Sequence, residues 1–143
     1  ELKSIARGCV NVGCRRHYEG FARGQWELFG KQEPKRLKTL LYAYRVLLTG
    51  IHLMRTGEVN SNLLECNEDI RLPFLPGLVA RKRAGGEKDG IEDLDFDLHE
   101  REVQRLQARL EQEALESRLP AAPSGREALN DLLLRVRLGE EAR

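Results

Sequence analysis

The residue types best suited to chemistry are cations, tyrosines and hydroxyls that recur at helical spacing between Pro34 and Gly57. Every third or fourth position there is polar: Lys38, Tyr42, Arg45, Thr49 and His52. No acidic residue occurs in the same stretch. Cations and hydroxyls bind phosphate and a tyrosine ring stacks on a base, so the stripe predicts a phosphate- or nucleotide-binding face. An ordinary solvated helix face is the alternative.

A second pattern with possible chemistry is the acidic cluster Asp93, Asp95 and Asp97. On a strand, carboxylates two residues apart share one face and can bind two divalent cations for nucleotidyl transfer. The residues that precede this cluster are polar, and those that follow it adopt helical spacing at once. Residues two apart on a helix diverge by about 200°. We therefore interpret the cluster as the acidic start of a helix and predict no catalytic residue in it.

Cysteine and histidine spacing predicts no metal site. Cys9, Cys14 and His17 could ligate zinc, but the two cysteines are further apart than in the usual knuckle and no second pair follows. Three cysteines in this spacing do not form a disulfide framework either. We therefore expect reduced thiols and a cytoplasmic location.

One long amphipathic helix, predicted over about 34–56, must position the polar stripe. Pro34 suits its first turn and Gly57 supplies its stop. Apolar residues repeat along the opposite side: Leu37, Leu40, Leu41, Tyr44, Leu47, Leu48, Ile51 and Met54. Such a stripe is wide enough to be the main core element. Gly50 within the helix, and Arg15, Arg16 and Arg23 upstream, favour a ligand-facing outer side.

The remaining patterns predict an all-α fold, an irregular helical bundle around that long helix. We expect a basic helical core region at 1–84, a linker at 85–91, and an acidic long helix plus a C-terminal helix packing on the core at 92–143. The net charge is +7 through Arg83 and −6 from Ala84 onward. A basic half attracts phosphates or nucleic acid, although the two halves could also simply dock on each other. No apolar run is long enough to span a bilayer, and no signal peptide is recognisable.

Two stretches resemble a known family. They are His17-Tyr18-x-Gly20-Phe21-Ala22-x-x-Gln25, followed by Pro34-Lys35, and then Tyr44-Arg45-x-Leu47-Leu48-Thr49-Gly50-x-x-Leu53-x-x-Thr56-Gly57-Glu58. These motifs, in this order, resemble the predicted nucleotidyltransferases of the DNA polymerase beta superfamily that are associated with RNA repair. The resemblance covers essentially the whole chain but only the helical C-terminal region of that family, so we expect a fragment of a larger enzyme.

The resemblance implies a helical substrate-positioning domain of an enzyme that transfers a nucleoside monophosphate to a hydroxyl. The catalytic carboxylates precede this region in the family, so this chain alone is expected to be inactive. Mg²⁺ and a nucleoside triphosphate are implied for the parent enzyme, none for this chain, with an N-terminal catalytic domain as partner. Lys35 and Arg45 would contact phosphate, and Tyr18 or Tyr42 would stack on a base. The full set of predicted substrate-binding residues is Arg15, Arg16, His17, Tyr18, Arg23, Lys35, Lys38, Tyr42, Arg45, Thr49 and His52.

Two other functions fit the same residues. The first is a stand-alone helical module that binds RNA or phosphate through Lys38, Arg45 and the arginines near the N-terminus. The second is a structural or protein-interaction domain whose basic and acidic halves pair and which binds no ligand.

Overall fold

The computed structural model describes residues 1–85, 91 and 93–139, and these form helices without a β-strand. Along the chain they are α1 (Leu2–Arg7), α2 (Cys14–Lys31), α3 (Leu37–Thr56), α4 (Leu63–Ile70), α5 (Leu75–Ala84), α6 (Phe96–Glu116) and α7 (Arg126–Leu138). The predicted all-α bundle is confirmed. Of the predicted linker at 85–91, residues 86–90 lie outside the described residues. In the described ranges no helix combines the length and apolarity needed to cross a membrane.

Helix α3 is the central element of the bundle, as predicted. It begins at Leu37, three residues later than Pro34, because the backbone at Arg36 is still extended. It ends at Gly57, whose left-handed backbone (φ 77°) supplies the predicted stop. Helices α2 and α6 pack on it most extensively, and α4 and α5 cover further parts of its surface. All residues of the predicted apolar stripe are buried except Leu41, which is half-buried.

The exposed polar face of α3 is shorter than the polar stripe predicted for it. Lys38, Tyr42 and Arg45 are exposed, and His52 is half-buried. Thr49 is only 6% exposed and belongs to the buried part of the helix. The reason is that helices surround α3 on more than one side, so none of its residues from 46 to 54 is exposed.

Gly50 lies at a close contact between α2 and α3. A Cβ atom at this position would lie 2.9 Å from both Cβ and Cγ of Tyr18 and 3.2 Å from a methyl of Leu110. These distances are shorter than normal van der Waals contacts, and Tyr18 Cβ cannot swing away without moving α2. The glycine that suggested a ligand-facing side is therefore a packing residue.

The acidic cluster starts α6, as predicted. The Asp95 side chain caps the helix by accepting a hydrogen bond from Leu98 N at 3.0 Å. Asp93 accepts two hydrogen bonds from the Arg81 guanidinium, at 2.9 and 3.0 Å. At the same end of α6, Phe96 stacks on Trp26 of α2, with ring centres 5.1 Å apart. The first turn of α6 is thus fixed to both α5 and α2.

A buried polar pair joins α3 to α6. The Tyr44 hydroxyl and His99 Nδ1 are 2.7 Å apart, and both residues are at most 2% exposed. The Phe74 ring packs edge-on against the imidazole with ring centres 5.0 Å apart. Burial lowers the pKa of His99, and the nearby charges of Asp95 and Glu102 offset only part of that shift.

Helices α1 and α7 form a separate layer. Among the described helices, α7 contacts α1, which belongs to the region 1–84 on which the C-terminal helix was expected to pack. The amides of Ser124 and Gly125 both donate to Gly8 O at 2.8 Å. Neither α1 nor α7 contains a buried residue. The described contacts that attach them to each other are therefore these backbone hydrogen bonds and an ion pair between Glu1 and Arg135.

We expect Gly50→Ala to destabilise the protein by about 1–3 kcal/mol, because the added methyl overpacks the contact with Tyr18. Gly24→Ala is the matched control, since no atom lies within 4 Å of a Cβ placed there. In that exposed helical position alanine should be neutral or stabilise by up to about 1 kcal/mol. Chemical denaturation of both variants measures the difference. Equal stability of the two variants would contradict the close approach.

Stability should fall as the pH is lowered from about 7 to about 5. The unfolded imidazole of His99 takes up a proton near its ordinary pKa of 6.5, whereas the folded one does so only at lower pH. The contribution of His99 to stability is complete above the pKa of the unfolded imidazole. It is lost as the pH falls towards the pKa of the folded imidazole. Thermal melts of His99→Gln should show a shallower dependence over this range than the parent. His17→Gln, at an exposed position, is the control for the substitution itself.

Candidate functional site

An open groove of about 600 Å³ lies along the exposed strip of α3. Its first wall is the strip itself, with Lys38, Tyr42 and Arg45, and its second wall is α5. The start of α4 lies between these walls. The whole lining consists of Lys38, Leu41, Tyr42, Arg45, Ser61, Asn62, Leu63, Leu64, Val79, Lys82 and Arg83. Three of the predicted site residues are thus brought together in one concave surface.

Arg45 is oriented by two neighbours. Its Nε donates to Ser61 O at 3.1 Å, and its guanidinium carbon lies 5.9 Å from the centre of the Tyr42 ring. No described residue accepts a hydrogen bond from its two terminal nitrogens. A guanidinium held at Nε in this way presents its remaining donors to the groove, and that fork matches the geometry of a phosphate.

The second wall adds two cations, Lys82 and Arg83. They lie in the last turn of α5, where cations interact favourably with the helix dipole. Neither side chain forms an ion pair or hydrogen bond with the described residues. A local run of three cations, Arg81-Lys82-Arg83, was the available signal. Only the packing of α5 beside α3 shows that two of them face the polar strip.

The groove is strongly positive. It is lined by four cations, and no carboxylate lines it among the described residues. The acidic side chain nearest in sequence to its α4 end, Glu65, accepts hydrogen bonds from Asn60 and Asn62. Asn62 in turn caps α4 through its side-chain oxygen. Among the described lining residues the formal charges are therefore all positive, which suits an anionic ligand.

Lys35, the other expected phosphate contact, does not lie on the groove. Its Nζ donates to the carbonyl oxygens of Gly30 and Gln32, at 2.8 and 3.2 Å, and to the Glu33 carboxylate at 3.2 Å. It also lies 5.8 and 5.9 Å from the centres of two phenylalanine rings. A cation among the last carbonyls of α2 stabilises the end of that helix. Its position therefore indicates a structural role.

The predicted residues of α2 are dispersed. Arg15 pairs with Glu19 at 3.2 Å and reaches Glu111 of α6 at 3.5 Å. Tyr18 is half-buried against Gly50, and burial raises the pKa of its hydroxyl. The remaining three are exposed: Arg16, His17 and Arg23. None of these side chains lines the groove.

The last two predicted residues, Thr49 and His52, lie beyond the groove on the later turns of α3. Thr49 is buried, and His52 is half-buried with its carbonyl accepting a hydrogen bond from Thr56 Oγ1 at 2.8 Å. Of the predicted stripe, only the first three members therefore line the groove.

The described residues do not fit a divalent metal ion. They contain no group of three or more histidine, cysteine, aspartate or glutamate side chains close enough to hold one. Asp93 is engaged by Arg81, and Asp95 caps α6. No step that involves a metal is therefore assigned to this part of the chain.

Comparison with known proteins places these features in context. The family RlaP, the RNA repair pathway DNA polymerase beta family, matches residues 1–135. An uncharacterized protein of Methanocaldococcus jannaschii is 34% identical over 76 residues, which cover 49% of this chain and 31% of that protein. The matched stretch therefore spans about a third of that relative's length. No solved structure matches the chain.

Proposed function

The chain belongs to the RNA repair pathway DNA polymerase beta family, and from this premise we propose that it is the helical substrate-positioning part of a nucleotidyltransferase. The observation that carries the proposal is the groove between α3 and α5. It combines four cations, an exposed tyrosine and no carboxylate among the described residues. A polyanion with flat, partly apolar bases is the ligand that this combination fits best.

In the proposed reaction a nucleoside monophosphate is transferred to a hydroxyl of a nucleic acid or another acceptor. Arg45 and Lys38 hold phosphate oxygens, and Tyr42 holds a base, so that the reacting group is oriented towards the catalytic part of the enzyme. The catalytic carboxylates, Mg²⁺ and the nucleoside triphosphate belong to that other part, and this chain alone is inactive. A cytoplasmic location, consistent with three free cysteines, completes the proposal.

We further propose that the exposed apolar residues of α7 are where the catalytic part docks. Five large apolar side chains of α7 are 42–71% exposed: Leu129, Leu133, Leu134, Val136 and Leu138. An isolated helix of this length is marginal in water and gains most of its stability from packing. The relative from Methanocaldococcus jannaschii is about three times longer than the stretch it shares with this chain, which supports a further domain of the same enzyme as the occupant.

Two alternatives remain open to the same tests. A stand-alone RNA- or phosphate-binding module is favoured by the fact that both walls of the groove come from this chain. A purely structural domain is favoured by the ion pairs Arg15–Glu111 and Arg81–Asp93, which join the basic and acidic halves. Three of these four side chains are exposed and Arg15 is half-buried, and ion pairs near the surface contribute about 0–1 kcal/mol each.

In the longer enzyme, Arg45→Ala should lower nucleotidyl transfer by tenfold or more, since a charge-assisted contact contributes about 1.5–3 kcal/mol. Its free energy of unfolding should change by less than about 0.5 kcal/mol, because the residue is exposed. Lys35→Ala is the matched comparison. It should destabilise the fold by about 1 kcal/mol through the end of α2 while changing transfer little. Lost folding in Arg45→Ala, with no specific loss of transfer, would favour the structural alternative.

Substituting both Leu133 and Leu134 with serine should leave the stability of the 143-residue chain nearly unchanged, because both side chains are already about half exposed. In the longer enzyme the same change should lower the stability by about 2 kcal/mol or more, because it removes apolar area that is buried on docking. Arg137→Ser, on the same helix, is the control. If the 143-residue chain dimerises and the double variant is monomeric, a second copy and not the catalytic part covers this face.

A further inference from the structure

We infer that the groove between α3 and α5 binds a single-stranded polynucleotide and not a free mononucleotide. The cations on both walls of the groove bind the phosphates of the strand. The inference rests on the proposed function, because it names the substrate class of the same groove. It draws on the second wall, with Lys82 and Arg83, which the sequence did not connect to the polar strip.

The spacing of the cations indicates several phosphates. Lys38 and Arg45 are seven positions apart on α3, which is about 10 Å along the helix axis. Lys82 and Arg83 stand on the opposite wall. A mononucleotide presents its phosphates at one point, where a site would gather its cations. Charges that are distributed along one wall and repeated on the other suit a connected phosphodiester backbone.

The apolar part of the groove fits bases. Tyr42 is 39% exposed and lies between the two α3 cations in sequence. Leu41, Leu63, Leu64 and Val79 add apolar contact area around it. A positive groove with an aromatic platform is how proteins bind single strands without reading a particular sequence. A duplex hides its base faces in the stack and could not use this platform.

The orientation of Arg45 supports the same ligand. Its Nε is held by Ser61 O, and its guanidinium lies beside the Tyr42 ring. A base stacked on Tyr42 would therefore bring a neighbouring phosphate to the terminal nitrogens of Arg45. The stacking platform and the phosphate donor are thus adjacent on one wall, and the cations of α5 remain for the next phosphates of the strand.

The test measures binding by the 143-residue chain with labelled strands of about ten nucleotides, as RNA and as DNA. Three or four phosphate contacts predict a slope of log K against log salt of about −2 to −3. Replacing Lys82 and Arg83 together with glutamine should reduce the steepness by about 1.4. Tyr42→Ala should weaken binding about tenfold, whereas Tyr42→Phe should keep most of it. Arg101→Gln, an exposed cation of α6 outside the groove, is the matched control and should change neither quantity.

The competing ligands are ATP and a duplex of the same length. Both should bind at least tenfold more weakly than the strand, and a preference for RNA or for DNA identifies which of the two is the source of the strand. If ATP binds as tightly as the strand, the inference is wrong while the proposed function survives. If a duplex binds as tightly, or if the Tyr42→Ala and double-glutamine variants bind like Arg101→Gln, the groove does not hold a single strand. If neither strand nor ATP binds, the proposed function fails as well.

Discussion

The close approach of α2 to α3 at Gly50 is the constraint on which the arrangement of the bundle depends. Because Gly50 has no side chain, Tyr18 packs directly on the α3 backbone, and Leu110 of α6 reaches the same point. Three helices therefore converge within van der Waals distance of one residue. This convergence encloses the later turns of α3 and buries Thr49. Before this enclosed stretch Lys38, Tyr42 and Arg45 are exposed, and the groove lies there.

Much of the fold could be predicted from local patterns. The apolar repeat of α3, its stop at Gly57 and the acidic start of α6 each depend on spacing or on neighbours a few residues away. The Asp95 cap and the burial of Tyr44 follow from the same local logic. By contrast, the roles of Gly50 and Lys35 depend on which other elements lie beside them. A single sequence holds no direct record of those neighbours, so the packing of Gly50 against Tyr18 and the hydrogen bonds of Lys35 to the end of α2 could not be predicted from it.

The groove likewise has one wall that the sequence predicts and one that it does not. Its α3 wall is a periodic stripe and could be predicted from the sequence. Its α5 wall is separated from that stripe by some forty residues, and the cations on it have an adequate local explanation as charges at a helix end. Each segment has a local explanation of its own, so the sequence does not show that the two form one surface. The combined positive charge, which is the main argument for an anionic ligand, exists only after α5 has packed beside α3 through Leu75 and Leu78.

The aromatic contact between α2 and α6 has a practical consequence. Trp26 is the chain's one tryptophan, and its ring stacks on Phe96 and lies 5.6 Å from the centre of Phe29. Its intrinsic fluorescence therefore reports whether the acidic helix is seated on the basic half. None of these rings lines the groove, so a ligand bound there leaves the emission spectrum largely unchanged, while detachment of α6 shifts it to longer wavelength. A single native fluorophore thus separates loss of tertiary structure from occupancy of the binding surface.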